Sequence, residues 1–101
     1  MTEKFSEAIA SSTPTLVDFY ATWCGPCQMM HPILQELKEK VGETARILKI
    51  DVDKNMELAA EFNVQSVPTL IVFKEGIVRW RQSGVQRADT LAKILSEVAG
   101  S

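Results

Sequence analysis

The chain has 101 residues, of which 46% are hydrophobic and 24% charged, with 11 basic and 13 acidic side chains and a net charge of -2. This length predicts a single domain over residues 1–101. The composition excludes a disordered tail, a collagen-like fibre and a disulfide-rich mini-protein. Because the charges are interspersed and form no basic face for phosphates, we expect no nucleic-acid partner.

The sequence offers no segment for a membrane. Its longest nearly apolar run, residues 67–73, is far too short to span a bilayer. The first seven residues have no apolar signal core. We therefore expect no membrane association and a cytoplasmic location.

Apolar spacing and turn residues predict alternating helices and strands. In chain order these are a helix after Thr2, a strand at 16–21, a helix from Pro26 to Val41, a strand at 46–51, a helix at 55–62, strands at 69–73 and 77–81, and a last helix that carries Leu91, Ile94, Leu95 and Val98.

This order of elements predicts an α/β fold, a mixed sheet with helices on both faces. A strand, a helix and a strand with short loops favour a parallel pair with a right-handed crossover. In the strand at 77–81, Val78 and Trp80 alternate with Arg79 and Arg81. That alternation predicts one solvated face and a position near an edge of the sheet.

The two cysteines, Cys24 and Cys27, lie between the first predicted strand and its helix. The N-terminus of a helix presents unpaired amide hydrogens and the positive end of the helix dipole, both of which favour a thiolate. We therefore expect Cys24 to be a nucleophile. Two intervening residues let Cys27 reach its sulfur, where Pro26 stiffens the turn and Gly25 leaves the approach open.

Three alternatives to a redox role stay open for the cysteine pair. Zinc needs about four ligands, and with His31 as the single histidine such a site would need carboxylates. A structural disulfide across so short a loop would restrict the unfolded chain little. Two buried, inert cysteines are the third alternative. We favour a redox-active Cys24–Cys27 disulfide, with no metal and no bound cofactor.

Residues 17–27, with the sequence VDFYATWCGPC, resemble the active-site segment of the thioredoxin family. Similar segments follow in the family's order: Pro32, Asp51-Val52-Asp53, Val64-Gln65-Ser66-Val67-Pro68-Thr69, Phe73-Lys74-Glu75-Gly76 and Gly84. The resemblance extends over nearly the whole chain from about Thr2 and implies the thioredoxin fold.

Asp18 lies inside an apolar predicted strand, where an unpaired carboxylate is costly. From the residues alone it could face outwards or be hydrogen-bonded. It could also be a buried carboxyl with a raised pKa that accepts a proton from Cys27 through a water. The resemblance implies this last role, because thioredoxins carry an aspartate at the matching position.

The resemblance also implies a surface that docks protein substrates. In the family, the bond that matches Val67–Pro68 is cis and packs against the disulfide, which leaves the Val67 amide free to pair with substrate backbone. From the residues alone, Pro68 could instead begin an edge strand. Trp23 would belong to the apolar rim of the site or, alternatively, to the core. Gly84 and Val85 resemble the last substrate-contacting loop, where glycine permits close backbone approach.

The chain departs from the family pattern at three places. Gln28 replaces a frequent basic residue, which should make the cysteine pair slightly less reducing or slower. A frequent lysine beside the buried aspartate aligns best with Ile47, and Lys49 is a nearby substitute. The usual first strand is missing, so we expect a mixed four-stranded sheet flanked by four helices. Residues 45–51 would form an open edge on a less stable, mostly monomeric domain that associates weakly there. His31 is predicted to be exposed and without a catalytic role.

The resulting prediction is a general protein disulfide reductase. By resemblance, its partners are disulfide-containing protein substrates and thioredoxin reductase, a flavoprotein that supplies electrons from NADPH. The chain itself has no G-x-G-x-x-G motif for a nucleotide. Two other functions stay open: an oxidase or isomerase of the same fold, and a binding module without redox turnover.

Overall fold

A computed structural model describes residues 2–101, and within them it contains four α-helices, one short 3₁₀ helix and four β-strands. In chain order the elements are α1 (Glu3–Ile9), β1 (Thr15–Tyr20), α2 (Gly25–Val41), the 3₁₀ helix (Gly42–Thr44), β2 (Arg46–Asp51), α3 (Met56–Glu61), β3 (Thr69–Lys74), β4 (Ile77–Ser83) and α4 (Ala88–Ala99).

The four strands form one mixed sheet in the order β2-β1-β3-β4. β1 is parallel to β2 and antiparallel to β3, and β3 pairs with β4 in antiparallel fashion. The predicted mixed four-stranded sheet with four helices is thereby confirmed. Among the described residues β2 is an edge strand, as expected.

Two hydrophobic cores lie on the two faces of this sheet. On one face, α2 and α4 pack against Leu16 and Val72. On the other, α1 and α3 pack against Phe19 and Phe73. Because β1 and β3 are buried on both faces, their sequences are nearly continuous apolar runs instead of alternating ones.

The helix that carries the cysteines has clear signals at both of its ends. The Cys24 side chain caps its N-terminus. Gly42 ends it with a φ of 56°, a left-handed backbone conformation that glycine adopts without steric cost. Because β1 and β2 are parallel, their carboxyl ends meet at one edge of the sheet, where the loop from β1 to α2 lies.

The alternation predicted for the last strand is broken by an irregularity in its pairing. Trp80 lies opposite Val72 and Val78 lies opposite Phe73, so Arg79 is an extra residue between two successive pairs. Trp80 therefore packs on the α2 and α4 core, whereas Val78 points to the opposite face and is 45% exposed. The prediction that the two share one face was wrong.

Candidate active site

Cys24 and Cys27 are joined in a disulfide at the N-terminus of α2, with 5.2 Å between their Cα atoms. Cys24 is the N-cap, and its Sγ accepts a hydrogen bond of 3.1 Å from the backbone N–H of Cys27. Pro26 lies in the first turn, where its missing N–H leaves no intrahelical bond unmade. A Cβ atom at Gly25 would meet no other atom within 4 Å, apart from its own neighbours in the chain, so the space beside this residue is open. The sulfurs are thus held where backbone amides stabilise negative charge.

The two cysteines differ in their access to solvent. Cys24 is 5% exposed and Cys27 is completely buried. An incoming disulfide can therefore reach only Cys24, which fits the predicted division into attacking and resolving thiols. The Sγ atom of Cys24 also lies 3.6 Å from the carbonyl oxygen of Val67, which places the loop before β3 against the disulfide.

That loop contains the Val67–Pro68 peptide bond, which is cis. Pro68 is buried, and its carbonyl oxygen accepts a 2.8 Å hydrogen bond from the N–H of Gly84. Gly84 has a φ of 91° and Val85 is 37% exposed. The structure therefore brings the two predicted substrate-contacting segments together beside the disulfide, while their roles in docking stay predictions.

Trp23 is 72% exposed, so it is not part of the core. Its Nε1–H donates a 2.9 Å hydrogen bond to Oδ2 of Asp53, which follows β2. The backbone N–H of Asp53 in turn donates to Oδ1 of Asp51 at 2.9 Å. Asp53 thus orients the indole over the site, a role that sequence reasoning missed because thirty residues separate the two partners.

A surface groove of about 460 Å³ runs past the disulfide. Three of the predicted site residues, Trp23, Cys24 and Val67, line it. So do residues that sequence reasoning did not single out as site residues: Val52, Val64, Gln65 and Ser66. The groove is open and mostly apolar, which suits a protein segment better than a small polar molecule.

Asp18 is completely buried, and neither of its carboxyl oxygens has a hydrogen-bond partner among the described residues. An outward-facing aspartate is therefore excluded, and the carboxyl is not bonded to any protein group among the described residues. Burial raises the pKa of Asp18 from its ordinary 3.8 to about 6, and the positive charge of Lys49 lowers it in part. A carboxyl with this pKa can take and return a proton close to neutral pH.

The lysine beside Asp18 is Lys49, since these two residues lie directly opposite each other in the β1–β2 pair. Ile47 lies opposite Leu16 instead, so the predicted alignment of Ile47 with the lysine position was wrong. The ammonium of Lys49 contacts Nδ1 of His31. His31 is half-buried, so the prediction that its side chain is exposed was also wrong.

Further features of the described residues bear on the class of site. Gln28 is exposed, and its Nε2 donates a 3.2 Å hydrogen bond to the carbonyl oxygen of Thr22. Within residues 2–101, no three His, Cys, Asp or Glu side chains are arranged to hold a metal ion. None of the described helices has both the length and the apolar character needed to cross a membrane.

Comparisons with known proteins agree along the length of the chain. A family model described as Thioredoxin matches residues 1–97. A thioredoxin of Staphylococcus haemolyticus is 50% identical over 93 residues, which cover 92% of this chain and 88% of that protein. A Mycobacterium leprae protein named bifunctional thioredoxin reductase/thioredoxin is 43% identical over 94 residues, or 93% of this chain and 20% of that protein. Among solved structures, a variant thioredoxin from Halobacterium salinarum aligns with a TM-score of 0.88 and 35% identity, covering 98% of this chain and 86% of that one.

Proposed function

The chain belongs to the thioredoxin family, and from this premise we propose that it reduces disulfide bonds in a broad range of proteins. It is a thiol–disulfide oxidoreductase whose redox pair is Cys24 and Cys27. The observation that carries the proposal is the placement of this pair, with the more accessible cysteine at the N-cap of α2 and the other buried behind it.

The reaction proceeds by two thiol–disulfide exchanges. The thiolate of Cys24 attacks one sulfur of a substrate disulfide, and the other substrate sulfur leaves as a thiolate that takes up a proton. Cys27 then loses its proton, through a water, to the carboxylate of Asp18 and attacks the Cys24 sulfur. This attack breaks the mixed disulfide and releases the second substrate thiol. The substrate has then gained two electrons, and Cys24 and Cys27 are joined in a disulfide.

Substrates bind as extended segments along the groove beside the disulfide. Trp23 supplies an exposed apolar wall that Asp53 holds in place. On the other side the backbone at Val67 pairs with the substrate, since the loop of Val67 and Pro68 lies against Cys24. Gly84 and Val85 complete this surface. Backbone pairing with few polar side chains suits substrates of varied sequence.

Electrons come from NADPH through thioredoxin reductase, a flavoprotein partner. The relative of Mycobacterium leprae supports this proposal, because its name joins both activities in one protein. The chain acts as a single cytoplasmic domain, with its own disulfide as the redox group and no metal. Neither nucleic acid nor a membrane is among its partners.

An insulin reduction assay coupled to thioredoxin reductase and NADPH tests this function. We expect catalytic amounts of the protein to speed NADPH oxidation and insulin precipitation, because each turnover transfers two electrons. The matched control is Asp89→Asn, an exposed change on α4, which should behave as the wild type. A strongly oxidising redox potential for the Cys24–Cys27 pair would instead indicate an oxidase or isomerase.

The protein is mostly a monomer that associates weakly through the edge strand β2. Unpaired backbone groups of an edge strand can pair with another chain, but charged side chains oppose this. Arg46 and Lys49 are both exposed on β2. We expect sedimentation velocity to show a monomer at low concentration and reversible association at high concentration, and Lys49→Val to associate more readily. A monomer at every concentration for both proteins would contradict the open edge as a contact.

A further inference from the structure

We propose that His31 is a positioning residue for the redox reaction, which holds the Lys49 ammonium away from Asp18 and so leaves the Asp18 carboxyl unpaired. His31 contacts Lys49 through Nδ1, and both oxygens of Asp18 lack a partner among the described residues. The inference rests on the proposed role of Asp18 as the proton acceptor for Cys27.

The fold places these side chains on one face of the sheet. Asp18 and Lys49 are directly opposite each other in neighbouring parallel strands, and Tyr20 lies two residues beyond Asp18 on the same face. Ile47 and Leu16, two residues before Lys49 and Asp18, pack in the core beneath α2. The side chains of Asp18, Lys49 and Tyr20 therefore face α2. On this helix His31 follows Cys27 by about one turn.

Lys49 has two partners that compete with the carboxylate. Its Nζ atom contacts Nδ1 of His31 and lies 5.5 Å from the centroid of the Tyr20 ring, within the range of a cation–π interaction. The Tyr20 ring also meets the His31 ring edge to face, with 5.9 Å between centroids and an interplanar angle of 79°. The Tyr20 ring thus fixes the imidazole of His31, while the imidazole accepts a hydrogen bond from Lys49.

His31 has to be neutral to accept this hydrogen bond. Partial burial and then the charge of Lys49 lower the pKa of His31 below 6.5, so the neutral ring prevails at neutral pH. The ionisable groups that meet in this cluster are Asp18 and Tyr20 on β1, Lys49 on β2 and His31 on α2. The charge of Lys49 lowers the pKa of both Asp18 and His31.

The consequence for catalysis is the proton affinity of Asp18. An ammonium bonded to the carboxylate would stabilise its charged form, lower its pKa and make it a weaker base. With Lys49 held by His31, burial remains the larger effect on the Asp18 carboxyl. His31 therefore acts on the resolving step indirectly, through Lys49 and Asp18, without contacting the substrate.

Titration of the Asp18 carboxyl carbon by NMR in the oxidised protein tests this directly. In His31→Leu, the released ammonium should move to Asp18 and lower its pKa by about 1, the low end of the effect of an adjacent opposite charge. His31→Phe keeps a ring against Tyr20 but no acceptor, and it should give the same shift. His31→Gln offers an amide oxygen to Lys49, and its Asp18 pKa should stay near the wild-type value.

A cycle with Lys49→Met separates positioning from a structural effect. Without the ammonium, the pKa of Asp18 should rise, and adding His31→Leu should then change nothing further. An unchanged Asp18 pKa in both His31→Leu and His31→Phe would overturn the inference. So would a double variant in which His31→Leu shifts the Asp18 pKa in the Lys49→Met protein as much as it does in the wild type. Because the titration measures Asp18 itself, it is independent of whether Asp18 deprotonates Cys27, which the kinetics of the resolving step measure separately.

Discussion

A Cys24→Ser variant should lose all measurable reduction of protein disulfides. Cys27 is completely buried, so no other thiol of the chain can reach a substrate once the attacking thiol is gone. Serine keeps the size of the side chain and can still cap α2, which separates lost chemistry from lost structure. The measurement is insulin reduction with NADPH and thioredoxin reductase, with unfolding curves of the reduced proteins as the control for folding.

The opposite variant, Cys27→Ser, should attack substrates normally and then stop. Its Cys24 forms the mixed disulfide, but no buried thiol follows to break it, so protein and substrate remain covalently joined. Electrophoresis without reductant and intact-mass measurement would detect one trapped complex per protein molecule, which is lost on adding dithiothreitol. Rapid turnover by Cys27→Ser would contradict the resolving role of Cys27, whereas no trapping by Cys27→Ser would contradict attack by Cys24.

Local signals in the sequence were sufficient for the elements and for the redox pair. β2 was predicted with its observed bounds, because the apolar run between Gly42 and Asp51 is short and bounded by polar residues. The helix carrying the cysteines was predicted to within one residue, because Pro26 and Gly42 mark its two ends. These signals act between residues near each other in the chain, where periodicity and capping are decisive.

Contacts between distant segments could not be predicted in the same way. The pairing of Asp18 with Lys49 depends on strand register, and a shift of two residues would have preserved every apolar face. The contacts of Lys49 with His31 and of Trp23 with Asp53 link separate elements across the fold. The extra residue at Arg79 changes the face of Val78 without any proline or glycine in the strand to indicate it.

Replacing Asp18 by asparagine should change how the stability of the oxidised protein depends on pH. The wild-type carboxyl has a pKa of about 6 in the folded state against 3.8 ordinarily, so between these values the folded state binds more protons than the unfolded state. Wild-type stability should therefore fall as pH rises from about 4 to 6. The difference of about 2.2 pH units, at about 1.36 kcal/mol each, amounts to about 3 kcal/mol.

Asp18→Asn removes this titration, because an amide does not ionise in this range. We expect urea unfolding to show a wild-type free energy that declines relative to Asp18→Asn by about 2.4 kcal/mol from pH 4 to pH 7, because part of the full difference is already lost below pH 4. Comparing the two proteins at each pH cancels the titration of all other groups. Asp89→Asn, on the surface, is the control for removing an exposed carboxylate. Parallel curves for the wild type and Asp18→Asn would contradict a raised pKa for Asp18.

The same variant should slow the resolving step more than the attack. With no carboxylate to take its proton, the Cys27 thiol loses its proposed general base, and general-base assistance contributes about a hundredfold or more in rate. Single-turnover measurements at neutral pH would show the mixed disulfide forming at nearly the wild-type rate and decaying slowly. If Asp18→Asn slowed formation and decay equally, Asp18 would act on Cys24 as much as on Cys27, and the proposed proton path would be wrong.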